Sequence, residues 1–159
     1  MNDGKPINPK DAAATARVPL HLVPPAVPIY AALAYAEGDL KYGAFNWRAT
    51  EVKASVYVAA MKRHLERYWN GEWADPVTGV PHLASIIAGC GIILDAQLVG
   101  KLIDDRPPPA DLSAILAEAE ETMRGLQALF GDRSPNHWTI TNAPSGADAP
   151  PSFIGALGE

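Results

Sequence analysis

Cysteine is almost missing from this chain. Cys90 stands alone among 159 residues, so no disulfide can close within the chain, and a reducing compartment is the natural expectation. Long apolar runs are missing as well. Hydrophobic residues make up 48% of the sequence, yet none of their runs approaches the roughly 20 residues of a membrane span. There is no basic excess either. Thirteen Lys and Arg against eighteen Asp and Glu leave a formal charge of −5, the wrong balance for a non-specific nucleic-acid binder, which must displace counterions. The opening MNDGKPINPK lacks the charged-then-apolar order of a secretory signal. Alternating strand patterns with turn chemistry are absent, and so are internal repeats. These absences together predict a cytoplasmic protein with neither a membrane nor a nucleic acid as partner.

What is present is helical. Residues 1–24 carry four of the fifteen prolines without periodicity and read as an N-terminal arm. From 25 to 130 the pattern predicts an all-α domain. Helix one follows Pro28, with Ile29, Leu33 and Ala36 on one face, and stops at Gly43. Helix two runs from about Glu51 to Asn70, with Tyr57, Met61, His64, Leu65 and Tyr68 as its stripe and Gly71 at its C-terminal end. Helix three runs from about Pro81 to Lys101, with Leu83, Ile87, Cys90 and Leu94 facing inward beside a small-residue strip, Ala84, Ala88 and Gly91. Three prolines at 107–109 halt it. Helix four, about Ala110 to Phe130, has Asp111 as N-cap and Leu112, Ile115, Leu116, Ala119, Met123 and Leu126 inside. Residues 131–159 return to proline, glycine and serine and read as a tail. Four amphipathic helices on short links predict a four-helix-bundle-like core.

Several polar residues lie where such a bundle prefers leucine. Glu37 sits near the C-terminus of helix one, where the helix dipole disfavours an acid. It is either an exposed acid or one compensated by a cation, and a metal ion or Lys41 one turn on would serve. His64 is either a hydrogen-bonded core histidine or a ligand. Arg63 and Arg67 repel at i, i+4 unless something negative lies between them, so they mark either a salt-bridged face or an anion site. In the connector NGEWADPVTGVPH, Glu72 and Asp75 are three apart and His82 opens the next helix. Carboxylate oxygens suit magnesium and manganese, and histidine suits manganese. The plainer reading makes Asp75 the start of an Asx turn and His82 a cap. Asp95 is the only charge between Leu83 and Lys101 and is costly there unless paired or metal-bound. Antiparallel neighbours would put Glu37, Tyr57 and Asp95 at one level and Glu72, Asp75 and His82 at the other, with about 15 helical residues, or about 22 Å, between them. Two regions or a dimer would then be needed.

In their order and spacing, AEGDLKYGAFNWR, MKRHL, GEWADPVTGVPHL and DDRPP resemble the phage family named dATP/dGTP diphosphohydrolase, over about residues 30–109. That family is MazG-like, and its MazZ-type members act on dGTP. The resemblance implies a helical MazG-type core, assembly as a homodimer or homotetramer, and a magnesium or manganese cofactor. It implies cleavage of a purine deoxynucleoside triphosphate, dGTP with GTP or dATP as alternatives, to the monophosphate and pyrophosphate. Such enzymes would supply dGMP to phages that build diaminopurine into DNA. Lys41, Tyr42, Asn46, Trp47, Arg48, His64, Glu72, Asp75 and His82 match the pattern. Typical MazG proteins carry E-x-x-E and E-x-x-D pairs on two helices. Here Glu37 has no acid three residues away, and the only E-x-x-D, Glu72 with Asp75, lies in a connector.

On this reading Lys41, His64, Glu72, Asp75 and His82 carry the reaction, and Glu37, Glu72, Asp75 and Asp95 hold metal. Trp47 stacks on the purine, Asn46 reads its edge, Tyr42 lines the site, and Lys41, Arg48, Arg63 and Arg67 take phosphate oxygens. The rival class is a non-catalytic helical adaptor or nucleotide-binding protein, in which Tyr42 and Trp47 grip a partner.

Overall fold

The structure, a computed structural model, describes residues 17–142. Most of the expected arm and the latter part of the expected tail lie outside the described residues. The elements are α1 (Ala26–Tyr42), α2 (Asn46–Ala49), β1 (Val52–Lys53), α3 (Ala54–Trp69), α4 (His82–Leu98), β2 (Leu102–Ile103) and α5 (Ser113–Phe130), with 3-10 turns at Leu20–Leu22 and Ile140–Asn142. The fold is all-α apart from the two-residue pair β1–β2. No helix among the described residues is long and apolar enough to cross a membrane.

Helix α1 begins before Pro28 rather than after it. A proline in the first turn is tolerated because its missing N–H would have no helical partner there. Gly43 ends the helix at φ 87°, and its N–H donates to the Asp39 carbonyl at 2.8 Å. Helix α3 starts at Ala54 because Val52 and Lys53 are drawn into a parallel pair with Leu102 and Ile103. Its N-terminus is capped from 50 residues away: Asp105 accepts the Ser55 N–H at 2.8 Å and the Ser55 hydroxyl at 2.5 Å.

Helix α4 is central, with α1 and α3 packed along it. The buried seam is the small-residue strip rather than the larger apolar face. Ala84, Ala88, Gly89 and Ala96 are buried, whereas Leu94 is 68% exposed and Cys90 is exposed. Small side chains let two helices approach α4 closely, and a Cβ on Gly89 would lie 2.9 Å from Met61 Cγ. On α1 the packed residues are Tyr30, Ala34 and Tyr35, and the expected face of Ile29 and Leu33 is largely exposed.

The four-helix arrangement is not formed within one chain. Every residue of α5 is exposed, including Ile115, Leu116, Met123 and Leu126. Asp111 does serve the helix start, accepting the Ser113 N–H at 2.9 Å, one residue ahead of the cap position.

Candidate active site

The connector between α3 and α4 is a small hairpin. Ala74 bridges Pro81 in antiparallel fashion, Asp75 N–H donates to the Val80 carbonyl, and Gly79, at φ 72°, donates back to the Asp75 carbonyl. Asp75 Oδ1 accepts the backbone N–H groups of Val77 at 2.9 Å and Thr78 at 3.1 Å. These bonds, Val77 first, hold its pKa below the usual carboxylate value, and nearby Arg67 adds to the effect. The Asx turn is therefore real, and it leaves Oδ2 facing Arg67 Nη1 at 3.6 Å. The same nitrogen lies 3.7 Å from Glu72 Oε1, so one guanidinium stands between the two acids of the E-x-x-D pair.

His82 opens α4 and is fully buried. Its Nδ1 meets His64 Nδ1 at 2.9 Å, and its Nε2 lies 3.2 Å from Glu72 Oε1. Glu72 Oε1 and His82 Nε2 are buried and complete no hydrogen bond of good geometry, despite their proximity. A bare imidazole nitrogen facing a carboxylate would set lone pair against lone pair. The assignment that avoids this puts the proton on His82 Nε2, which makes His82 Nδ1 the acceptor and His64 Nδ1 the donor. His64 Nε2 is then left as the basic nitrogen. Burial lowers the His64 pKa, with His82 and Arg67 adding to the shift, so the ring is neutral near pH 7.

His64 also lines a cleft of about 190 Å³ between α1 and α3, floored by Ser85, Ala88 and Gly89 of α4. Glu37, Lys41, Tyr42 and Tyr57 line its other walls. Lys41 Nζ donates to Glu37 Oε1 at 2.6 Å, a bond that raises the lysine pKa and keeps it charged. Lys41 therefore compensates the acid at the helix end. Glu37 and Asp75 both act on the His64 ring electrostatically. The two ends that hairpin counting separates are thus linked through His64 inside one chain.

Asp95 is placed elsewhere. Its Oδ2 accepts the Trp47 indole N–H at 2.6 Å and Arg48 Nε at 2.7 Å, while Oδ1 accepts Arg48 Nη2 at 2.8 Å. Arg48 and then Trp47 hold its pKa down at about 2. The group borders a second cleft, lined by Ala32, Tyr35, Ala36 and Asp39 of α1 together with Phe45 and Trp47. The row 32, 35, 36, 39 is offset by two residues from the row 34, 37, 38, 41 that faces the first cleft. At 3.6 residues per turn that offset is about 200°, so the two clefts lie on opposite sides of α1. Lys41 and Tyr42 consequently line one cleft, and Trp47 and Arg48 the other. Trp47 is half-buried with its ring 5.8 Å from Tyr35 and 5.5 Å from Phe45, and Phe45 adopts a left-handed conformation at φ 53°. Asn46 begins α2, and Arg63 is exposed and lines neither cleft.

The joint hold of Arg67 on both acids escaped the sequence reading, although an arginine five and eight residues before them was a usable signal. For a hard divalent cation the donor chemistry fits, since Glu72 offers a carboxylate oxygen that completes no hydrogen bond of good geometry and Asp75 stands near it across Arg67. A complete protein cage is not formed: among the described residues no three His, Cys, Asp or Glu side chains converge on one point.

An all-helical chain that gathers carboxylates, imidazoles and fixed cations along a cleft has the composition of a site for a phosphorylated small molecule. Residues 7–106 match the family described as dATP/dGTP diphosphohydrolase, N-terminal, and the chain belongs to that family. The description places it among hydrolases whose substrates are nucleotides. No curated protein and no solved structure matches the chain.

Proposed function

We propose that this chain hydrolyses a purine deoxynucleoside triphosphate, dGTP foremost, to the monophosphate and pyrophosphate. The observation that carries the reading is the cluster His64, His82, Glu72, Asp75 and Arg67, set at the edge of a cleft that also holds Lys41 and Glu37 and lying within the family match. His64, neutral and with Nε2 basic, accepts a proton from the attacking water. Lys41 and Arg67 stabilise negative charge on the phosphates. Glu72 and Asp75 would hold a magnesium or manganese ion jointly with the substrate phosphates, the usual arrangement where the protein lacks a full cage. When bound, such an ion supplies an activated water and neutralises the departing pyrophosphate.

Incubation with dGTP and manganese, followed by chromatography, tests the reading. Release of dGMP and pyrophosphate, abolished by a chelator, is expected. Formation of dGDP and phosphate, or turnover indifferent to the chelator, would refute it.

The same reading includes assembly as a homodimer or homotetramer. Its support is the apolar stripe of α5 and the exposed Leu94 and Leu98 of α4, which one chain leaves in water.

A further inference from the structure

We propose that His137–Asn142 completes a base-binding subsite, an aromatic cleft that takes the purine ring of the nucleotide. The proposal rests on the hydrolase reading above and adds where the base is held.

The segment returns to the α3–α4 connector after α5, whose residues are all exposed. Its turn is held by its own side chains, with Thr139 N–H and hydroxyl both donating to Asn142 Oδ1, at 2.9 and 3.0 Å. Ile140 seats on Gly71, where a Cβ would lie 2.9 Å from Ile140 Cδ1, and Gly71 itself stands at φ 94°. The left-handed backbone favours glycine at that point. The result is a cleft of about 570 Å³ walled by Tyr68, Trp69, Trp73 and Trp138, with Glu72 at its border. Three of the four tryptophans of the chain are gathered here.

Two of these walls are held open to solvent, Trp69 at 84% and Trp138 at 75% exposure. Trp47, in contrast, has its indole N–H committed to Asp95 on the far side of α1. Exposed indoles facing one gap offer stacking surfaces for a planar ring. Glu72 gives the cleft its polarity. A carboxylate accepts the N–H groups on a purine edge, and Arg67 beside it takes the phosphates of the same nucleotide. Glu72 belongs to both places, since its Oε1 is the atom 3.2 Å from His82 Nε2. The wall supplied by Trp138 and Ile140 lies beyond residues 7–106, outside the matched region.

The test uses the full chain and two variants, Trp138→Ala and Trp69→Ala, chosen because both side chains are exposed and their loss spares the core. Binding of deoxyguanosine, which has a base and no phosphate, is measured beside binding of tripolyphosphate, which has phosphates and no base. Each variant is expected to weaken deoxyguanosine binding about tenfold or more. Tripolyphosphate binding and the melting temperature should stay as in the wild type, and KM for dGTP should rise with kcat little changed. Undiminished deoxyguanosine binding in both variants overturns the proposal, as does an equal loss of tripolyphosphate binding. Normal dGTP turnover with unchanged KM in both variants sinks the subsite and leaves the hydrolase standing. Absent turnover, with nucleoside binding that still depends on both tryptophans, sinks the hydrolase and leaves the subsite.

Discussion

His64 and His82 meet Nδ1 to Nδ1 at 2.9 Å, one ring reaching from the middle of α3 and the other fixed at the first residue of α4. This contact welds the connector, with its two acids, to the cleft that holds Glu37 and Lys41. It also brings a titratable group into the packing of two helices. Burial depresses the His64 pKa, so the unfolded state takes up the proton first as pH falls. The stabilisation is present above the unfolded value near 6.5 and is lost as pH falls toward the folded value. The melting temperature of the metal-free protein should therefore drop as pH falls below about 6.5, and His64→Gln should flatten that slope. A variant with the wild-type pH profile would contradict the assignment.

Glu72 and Asp75 are expected to matter for turnover. Glu72→Gln and Asp75→Asn keep shape and remove charge, and each should lower kcat by about 10² or more. Steady-state assays on folded protein check this. Full activity in either variant removes that residue from the site.

Asp95 is expected to matter for stability instead. Asp95→Asn frees Arg48 and weakens the hold on Trp47, so the melting temperature should fall while kcat changes little. With its pKa lowered from 3.8 to about 2, the wild-type carboxylate contributes above the higher value and ceases to contribute as pH falls toward the lower. Trp47→Ala should follow the same pattern. A loss of nucleotide affinity by about 1–3 kcal/mol without a change in melting temperature would return Trp47 to the role of base stack.

Manganese alone should leave the melting temperature nearly unchanged, since among the described residues no three ligands converge without substrate. Manganese with dGMP and pyrophosphate together should raise it. Differential scanning fluorimetry separates the two cases, and a large rise with the ion alone would argue for a formed protein cage.

In solution the chain should be at least dimeric by light scattering at micromolar concentration. Leu116→Glu with Met123→Glu places charge on the α5 stripe and should shift the mass toward one chain. A stable, fully active monomer in the unmodified protein would contradict the assembly.

The helices were legible because proline, glycine and capping residues mark their ends, and Gly43 and the prolines at 107–109 did so plainly. Their inner faces were less so. Leucine and isoleucine draw the eye on α1 and α4, yet close approach of three helices selects Ala34, Ala84 and Ala88. The residue types of the site were also readable, down to Glu37 with Lys41 and Asp75 with its turn. Their grouping was not, because it depends on helix rotation. Counting along the hairpins gives the level of Asp95 correctly and says nothing of which side of α1 it meets. Two-residue β1, the single turn α2 and the return of Ile140 to Gly71 leave no periodic trace at all.

The clip between Ser55 and Asp105, with the two-residue pairing beside it, works as a buckle on a belt. It joins the two ends of the segment that holds α3, the connector and α4, so this segment should open and close as one unit in hydrogen exchange. Where the chain is cut then decides what survives. A version ending after Arg106 keeps the buckle and its enclosed machinery while shedding α5 and the outer aromatic wall. One ending at Gly100 leaves α3 without its cap and the belt unfastened.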